Sequence, residues 1–297
     1  MDQMLHERKK QYIRAKIVIE KFIKEGKPIP VNKEEYLEAM KVCDRIAQIY
    51  YRILDCPACF FQAEDSIIKD DFTVITNAEP VFFSQMPIAD LREYTFEPLG
   101  SRNRFREYGN EEYLSVVDIQ ISNLLSTSSK ETPEYEVLHQ YGNWHNERAV
   151  RNIRMPLELV KSRSPERYEW RTPFIWGLKD LPHTVILSFQ ATSSPAPIMR
   201  GELLSILSVT WWKNKVIIGK GHKFIPILLV SIRTGNFRTV EAYYDGSRFF
   251  LRYGKPVPMN FTESIEDRTK AFEWAIQWLL SSPLGDTRNL ESITSMG

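Results

Sequence analysis

The stretch VILSFQATSSPAPIMRGELLSIL, residues 185–207, decides the fold. It opens on a dense apolar run, Val185–Phe189, of the kind that forms a strand buried on both faces. A loop of small residues follows, Ala191-Thr192-Ser193-Ser194-Pro195-Ala196-Pro197. Leu203, Leu204, Ile206 and Leu207 then read as an apolar helix that carries one carboxylate, Glu202. Two further strand-like runs come next, Phe224–Ile232 and Thr239–Tyr244. The second holds Glu241 and ends at Asp245-Gly246, a dipeptide that signals a hairpin turn. Strand, loop, helix, strand, strand predicts a mixed α/β (α+β) fold, with a mainly C-terminal sheet flanked by helices.

Working outward, Ile13, Ile17, Val18 and Phe22 recur at helical spacing in residues 4–25, and Gly26 and Pro28 end that pattern. A second helix is expected from Lys33 to Leu54, with Leu37, Met40, Cys43, Ala47, Tyr50 and Ile53 in one stripe. Together they predict an N-terminal helical hairpin, residues 1–54, packed on an α/β core, 60–281, within a single domain. Residues 282–297 read as a flexible tail. Asp71–Thr76 alternates like a strand, Glu112–Leu125 reads as a buried helix, and Ser264–Leu280 as a last one.

Composition bounds the function. Of 297 residues, 43% are hydrophobic, enough to bury a sizeable core. The 39 basic and 38 acidic residues leave +1, so net charge argues neither for nor against nucleic acid. Three cysteines suit a reducing compartment. The N-terminus lacks the apolar core of a signal peptide, and no apolar run reaches the roughly 18–20 residues of a membrane span. The expectation is a cytoplasmic protein without a membrane partner.

Several groups suit chemistry. Thr192, Ser193 and Ser194, between a buried strand and a helix start, suit the holding of a phosphate or carboxylate; the alternative is a helix cap. Glu202 and Glu241, if they face one cleft, suit a general base and a cation clamp; for Glu202 the alternative is a charge favoured by the helix dipole. In the polar window His139–Arg148, His145 has the ordinary pKa of an acid–base group, with Trp144 either beside substrate or packing the loop. The two histidines lack the spacing of a helical metal pair, so no metal site is expected. Arg148, Arg151 and Arg154 recur every third residue near aromatic side chains, a pattern that suits RNA; with Glu147, Glu158, Glu166 and Glu169 among them the alternative is a solvated, ion-paired face. Arg102, Arg104 and Arg106 form a smaller patch. Cys56-Pro57-Ala58-Cys59 follows a helix where a redox motif follows a strand, which favours structural cysteines.

Four runs carry a family resemblance: VILSFQATSSPAPIMRGELL (185–204), HKFIPILLVSI (222–232), VEAYYDGSRFFLRYGK (240–255) and FEWAIQWLLSSPLGDT (272–287). Within residues 183–297 the chain resembles a group of fungal proteins and, among them, the arginine-containing cyclodipeptide synthases. The resemblance implies a transferase that joins arginine and a second amino acid, both delivered by aminoacyl-tRNA, into a diketopiperazine. It implies no cofactor, because the aminoacyl ester is already activated. Such chemistry asks for buried acids against a guanidinium, for which Glu202 and Glu241 are the candidates, with Tyr243 beside them. It asks for a base, for which His145 or one of those acids serves, and for a basic tRNA surface at Arg148, Arg151 and Arg154. Two other classes remain open. One is a metal-dependent nuclease with Glu202, Glu241 and Asp245 around magnesium; a lysine two residues after the second acid is missing, since position 243 is Tyr. The other is a non-catalytic interaction module docking through residues 4–54.

Overall fold

Thr184–Gln190 is buried along its whole length, as a strand covered on both faces must be. The computed structural model describes residues 33–94, 110–130, 138–146, 170–178, 180–193, 197–217, 221–261 and 263–289. The elements are α1 (Lys33–Asp55), β1 (Phe60–Phe61), β2 (Phe72–Thr76), β3 (Phe83–Ser84), α2 (Ile88–Leu91), α3 (Asn110–Leu125), β4 (His145–Asn146), β5 (Trp170–Gly177), β6 (Thr184–Gln190), β7 (Ile198–Met199), α4 (Arg200–Ile217), β8 (Ile227–Arg233), β9 (Gly235–Tyr244), β10 (Phe249–Tyr253), β11 (Val257–Met259), α5 (Ile265–Leu279) and β12 (Ser282–Pro283). The first helix of the expected hairpin, 4–25, lies outside the described residues.

The main sheet runs β2-β10-β9-β8-β6-β5-β4, with β11 against the start of β9. Two pairs are parallel, β2 with β10 and β6 with β8. The chain passes from β6 through β7 and α4 to reach β8, a crossover that covers one face of the sheet. Helices α1 and α4 pack on that face. Ile46, Ile49, Tyr50 and Ile53 of α1 and Leu203, Leu207 and Val209 of α4 share one core with Ile186, Leu229, Val240 and Ala242 of the sheet. On the other face, Tyr113 and Val117 of α3 and Phe272 and Ile276 of α5 pack against Val185, Leu187, Val230 and Phe237. The result is the expected mixed α/β architecture, in three layers.

Local chemistry explains how these layers lock. Asp71, fully buried at the head of β2, takes guanidinium bonds from Arg45 and Arg52, both on α1. Ser264 caps α5 by accepting the Asp267 amide at 3.1 Å. Gly201 lets α4 start directly on the sheet: a Cβ there would lie 2.2 Å from Gln190 Oε1 and 2.5 Å from Trp170 Cβ. The start of the expected tail is held to the body at residues 282–284 and 287. Ser282–Pro283 pairs with β3, the Leu284 amide donates to Phe82 O at 2.7 Å, and Thr287 O accepts the Lys223 amide at 2.8 Å.

Candidate functional site

Open α/β sheets receive ligands at the carboxyl ends of their parallel strands, where the Thr192–Ser194 loop leaves β6. The structure fills that place with a closed ionic node. Glu202 stands at the third position of α4, and its Oε2 accepts the Met199 amide at 3.2 Å, as the acid of a capping box does. Arg233, the last residue of β8, reaches both of its oxygens, at 3.0 and 3.1 Å. Arg238 of β9 grips it as a fork, Nε at 3.1 Å and Nη2 at 2.5 Å, and Ser231 Oγ donates at 2.6 Å. Arg238 also stacks on the Tyr253 ring at 4.4 Å. Burial opposes ionisation of Glu202, but the two guanidiniums outweigh it and hold the carboxyl down at about 2. The carboxylate that was expected to clamp a substrate guanidinium already clamps two of the chain's own.

Glu241 stands apart from it. Along β9 the pairing with β8 and β10 is continuous from Asn236 to Tyr244, so side chains alternate strictly. Arg238, Val240, Ala242 and Tyr244 face α1 and α4, whereas Phe237, Glu241 and Tyr243 face α5. The shared cleft expected of Glu202 and Glu241 therefore does not form, because the sheet lies between them. Glu241 accepts the Val81 amide at 2.9 Å and the Phe82 amide at 2.7 Å, fixing the segment that leads into β3. Burial, opposed by those amides and by Arg252, pushes its carboxyl up to about 7.

The remaining candidates also fall in separate places. His145 is exposed on β4, the edge strand, opposite Gly177 of β5. Trp144 is buried, its Nε1 donating to Ser281 O at 3.0 Å, so it packs the core. Tyr243 stacks on Phe250 at 5.0 Å and meets Phe82 edge-on; it too is core. Thr192 joins the loops after β6 and β8, its carbonyl accepting the Thr234 amide at 3.1 Å. Ser193 is exposed at the same end. Ser194 and Arg102, Arg104, Arg106, Arg148, Arg151 and Arg154 lie outside the described residues. Asp245 belongs to the β9–β10 turn, as its sequence signals: its Oδ1 accepts the Ser247 and Arg248 amides at 2.8 and 2.9 Å. Glu202, Glu241 and Asp245 thus occupy two faces and two ends of the sheet, which removes the magnesium centre considered for a nuclease. Among the described residues no three His, Cys, Asp or Glu side chains are grouped to hold a metal ion.

A cavity of about 470 Å³ opens at the opposite end of the α1/α4 layer, a size that suits a small-molecule site. Glu35, Glu38, Ala39 and Val42 of α1 form one wall, and Thr210 and Asn214 of α4 another. Segment 221–225 and the turn Tyr244-Asp245-Gly246 complete it. Along α4 it lies about 12–18 Å from Glu202, at a rise of about 1.5 Å per residue. The lining includes three acidic residues, Glu35, Glu38 and Asp245, together with His222 and Lys223. Burial works against ionisation of Asp245, yet the bonds from Arg248 and Ser247 outweigh it and hold its carboxyl below the ordinary value. Glu38 also pairs with Lys41 at 3.1 Å. Tyr244 adds an aromatic surface, its hydroxyl turned aside to Gly246 O at 2.9 Å. Carboxylates beside an aromatic ring are what a guanidinium or ammonium group seeks. Glu35 and Glu38 are unremarkable in sequence, because exposed glutamates are common in the first turns of helices.

No family model matches the chain, nor does any curated protein or solved structure. No helix among the described residues is long and apolar enough to cross a membrane.

Proposed function

We propose that the protein is a transferase that joins arginine and a second amino acid, both taken from aminoacyl-tRNA, into a cyclic dipeptide. The arginine side chain occupies the cavity between α1 and α4. One observation carries this reading: three acidic residues, Glu35, Glu38 and Asp245, and Tyr244 line a volume sized for a small molecule. The resemblance of residues 183–297 to the arginine-containing cyclodipeptide synthases supports it from the sequence.

The chemistry needs no separate activation. The α-amine of one aminoacyl ester attacks the ester carbonyl of the other, the ribose hydroxyl of one tRNA leaves, and a peptide bond forms. The free amine then attacks the remaining ester, releasing the second tRNA and closing the ring. The cavity's part is positional: holding the guanidinium fixes where the reacting amine and ester sit. Glu202 takes no part in binding substrate, since Arg233 and Arg238 occupy both of its oxygens.

Expression of the full chain in a bacterial host, followed by mass spectrometry of the medium, tests the reading. A new arginine-bearing diketopiperazine is expected. Soluble, folded protein that yields none contradicts it.

A further inference from the structure

The Cys56-Pro57-Ala58-Cys59 motif brings two free thiols toward the surface, Cys56 at the margin of the α1/α4 core and Cys59 outside it. Cys43, by contrast, is 1% exposed between α1 and α4, with Asn214 Nδ2 3.2 Å from its sulfur. Cys56 is half-buried, Cys59 is exposed, and both are free thiols. They end α1 and open β1, and one side chain spans them. Arg200, the first residue of α4, donates from Nη1 to Cys56 O and directs Nη2 at Cys59 Sγ, 3.9 Å away. Its own amide donates to Cys59 O at 2.9 Å. A rigid guanidinium fork thus touches both ends of the loop. Pro57 fixes one of the two intervening φ angles and so narrows the conformations open to it.

We propose that Cys56 and Cys59 form a surface dithiol that a low-molecular-weight disulfide, such as oxidised glutathione, converts reversibly into an intrachain disulfide. Exposure sets the order of events. The thiolate of Cys59 attacks one sulfur of the reagent, whose S–S bond breaks; one reagent thiolate leaves and takes up a proton. Cys56 then loses its proton to solvent and attacks the Cys59 sulfur of the mixed disulfide, expelling the second reagent thiolate. Two protein thiols are oxidised, and one reagent disulfide is reduced to two thiols. Cys43, buried on the far part of α1, takes no part.

The test uses the full chain, incubated with oxidised glutathione, quenched by alkylation and read by intact-mass and peptide mass spectrometry. Wild type is expected to become two hydrogens lighter, with the crosslink mapped to Cys56–Cys59, no retained glutathione, and full reversal by dithiothreitol. Cys56→Ser and Cys59→Ser are each expected to stop at a mixed disulfide carrying one glutathionyl group, and Cys43→Ser to behave as wild type. Wild type that keeps glutathione on Cys59 without closing the ring, or that stays fully reduced, overturns the proposal. The wild-type result decides the matter even if a variant folds poorly.

Discussion

Replacing Glu202 by glutamine tests the ionic node. The substitution keeps the shape but removes the charge that two buried guanidiniums share, and it turns a donor toward Arg233 and Arg238. Breaking a buried ion pair from one side costs roughly 3–5 kcal/mol, because the remaining charge stays buried and uncompensated. Proton linkage gives a similar size: lowering the carboxyl from 4.5 to about 2 corresponds to about 3 kcal/mol of stability. The sign follows from the direction of the shift. A depressed carboxyl contributes fully above its unfolded value, so the contribution is present above about pH 4.5 and is lost as pH falls toward 2. Urea unfolding of wild type and E202Q at pH 7 should therefore differ by about 3–5 kcal/mol, and the gap should narrow below pH 4.5. The triple variant E202L/R233M/R238L should recover most of the loss, since an apolar replacement leaves no buried charge behind. An E202Q protein within about 0.5 kcal/mol of wild type, the range of ordinary surface substitutions, would show that Arg233 and Arg238 do not depend on this carboxylate.

Other perturbations separate the two acids and the packing beneath them. Glu241 has its carboxyl raised to about 7, so its contribution is full below about pH 4.5 and is lost as pH rises through 7; wild type should lose up to about 3 kcal/mol from this group over that window. Denaturation of E241Q against pH should lack that slope, and an unchanged slope would assign it elsewhere. Gly201→Ala should destabilise by about 1–3 kcal/mol through overpacking against Trp170 and Gln190, although alanine is the better helix former by about 1 kcal/mol. A urea midpoint that rises instead would show that α4 stands off the sheet.

The sequence was most legible where one physical signal dominated. Val185–Phe189 reads as a buried strand because nothing in it tolerates water, and Asp245-Gly246 reads as a turn because its side chain and positive φ suit one; Gly246 has φ +100°. The site was less legible because it depends on parity. Glu241 and Tyr243 share one face of β9, and Arg238 and Tyr244 the other, and no composition rule says which faces which layer. Glu202 looked available because its partners, Arg233 and Arg238, are 31 and 36 positions away in the chain. Strand β5 gives a weak signal, since its Trp170–Gly177 segment contains proline and alternates poorly. The cavity had no signal at all: α1, α4 and the β9–β10 turn bring its carboxylates together only in three dimensions.

Calorimetric titration of the protein with argininamide, which carries the guanidinium and amine of the proposed substrate without a free carboxylate, probes the α1/α4 cavity as the arginine site. Saturable binding with one site per chain is expected, weakened at least tenfold, or by about 1.4 kcal/mol, in the folded E35Q/E38Q variant. Binding should also weaken as salt rises, because Glu35 and Glu38 are exposed. Binding that E35Q/E38Q leaves unchanged, or no binding by wild type, would contradict the assignment of the α1/α4 cavity as the arginine site.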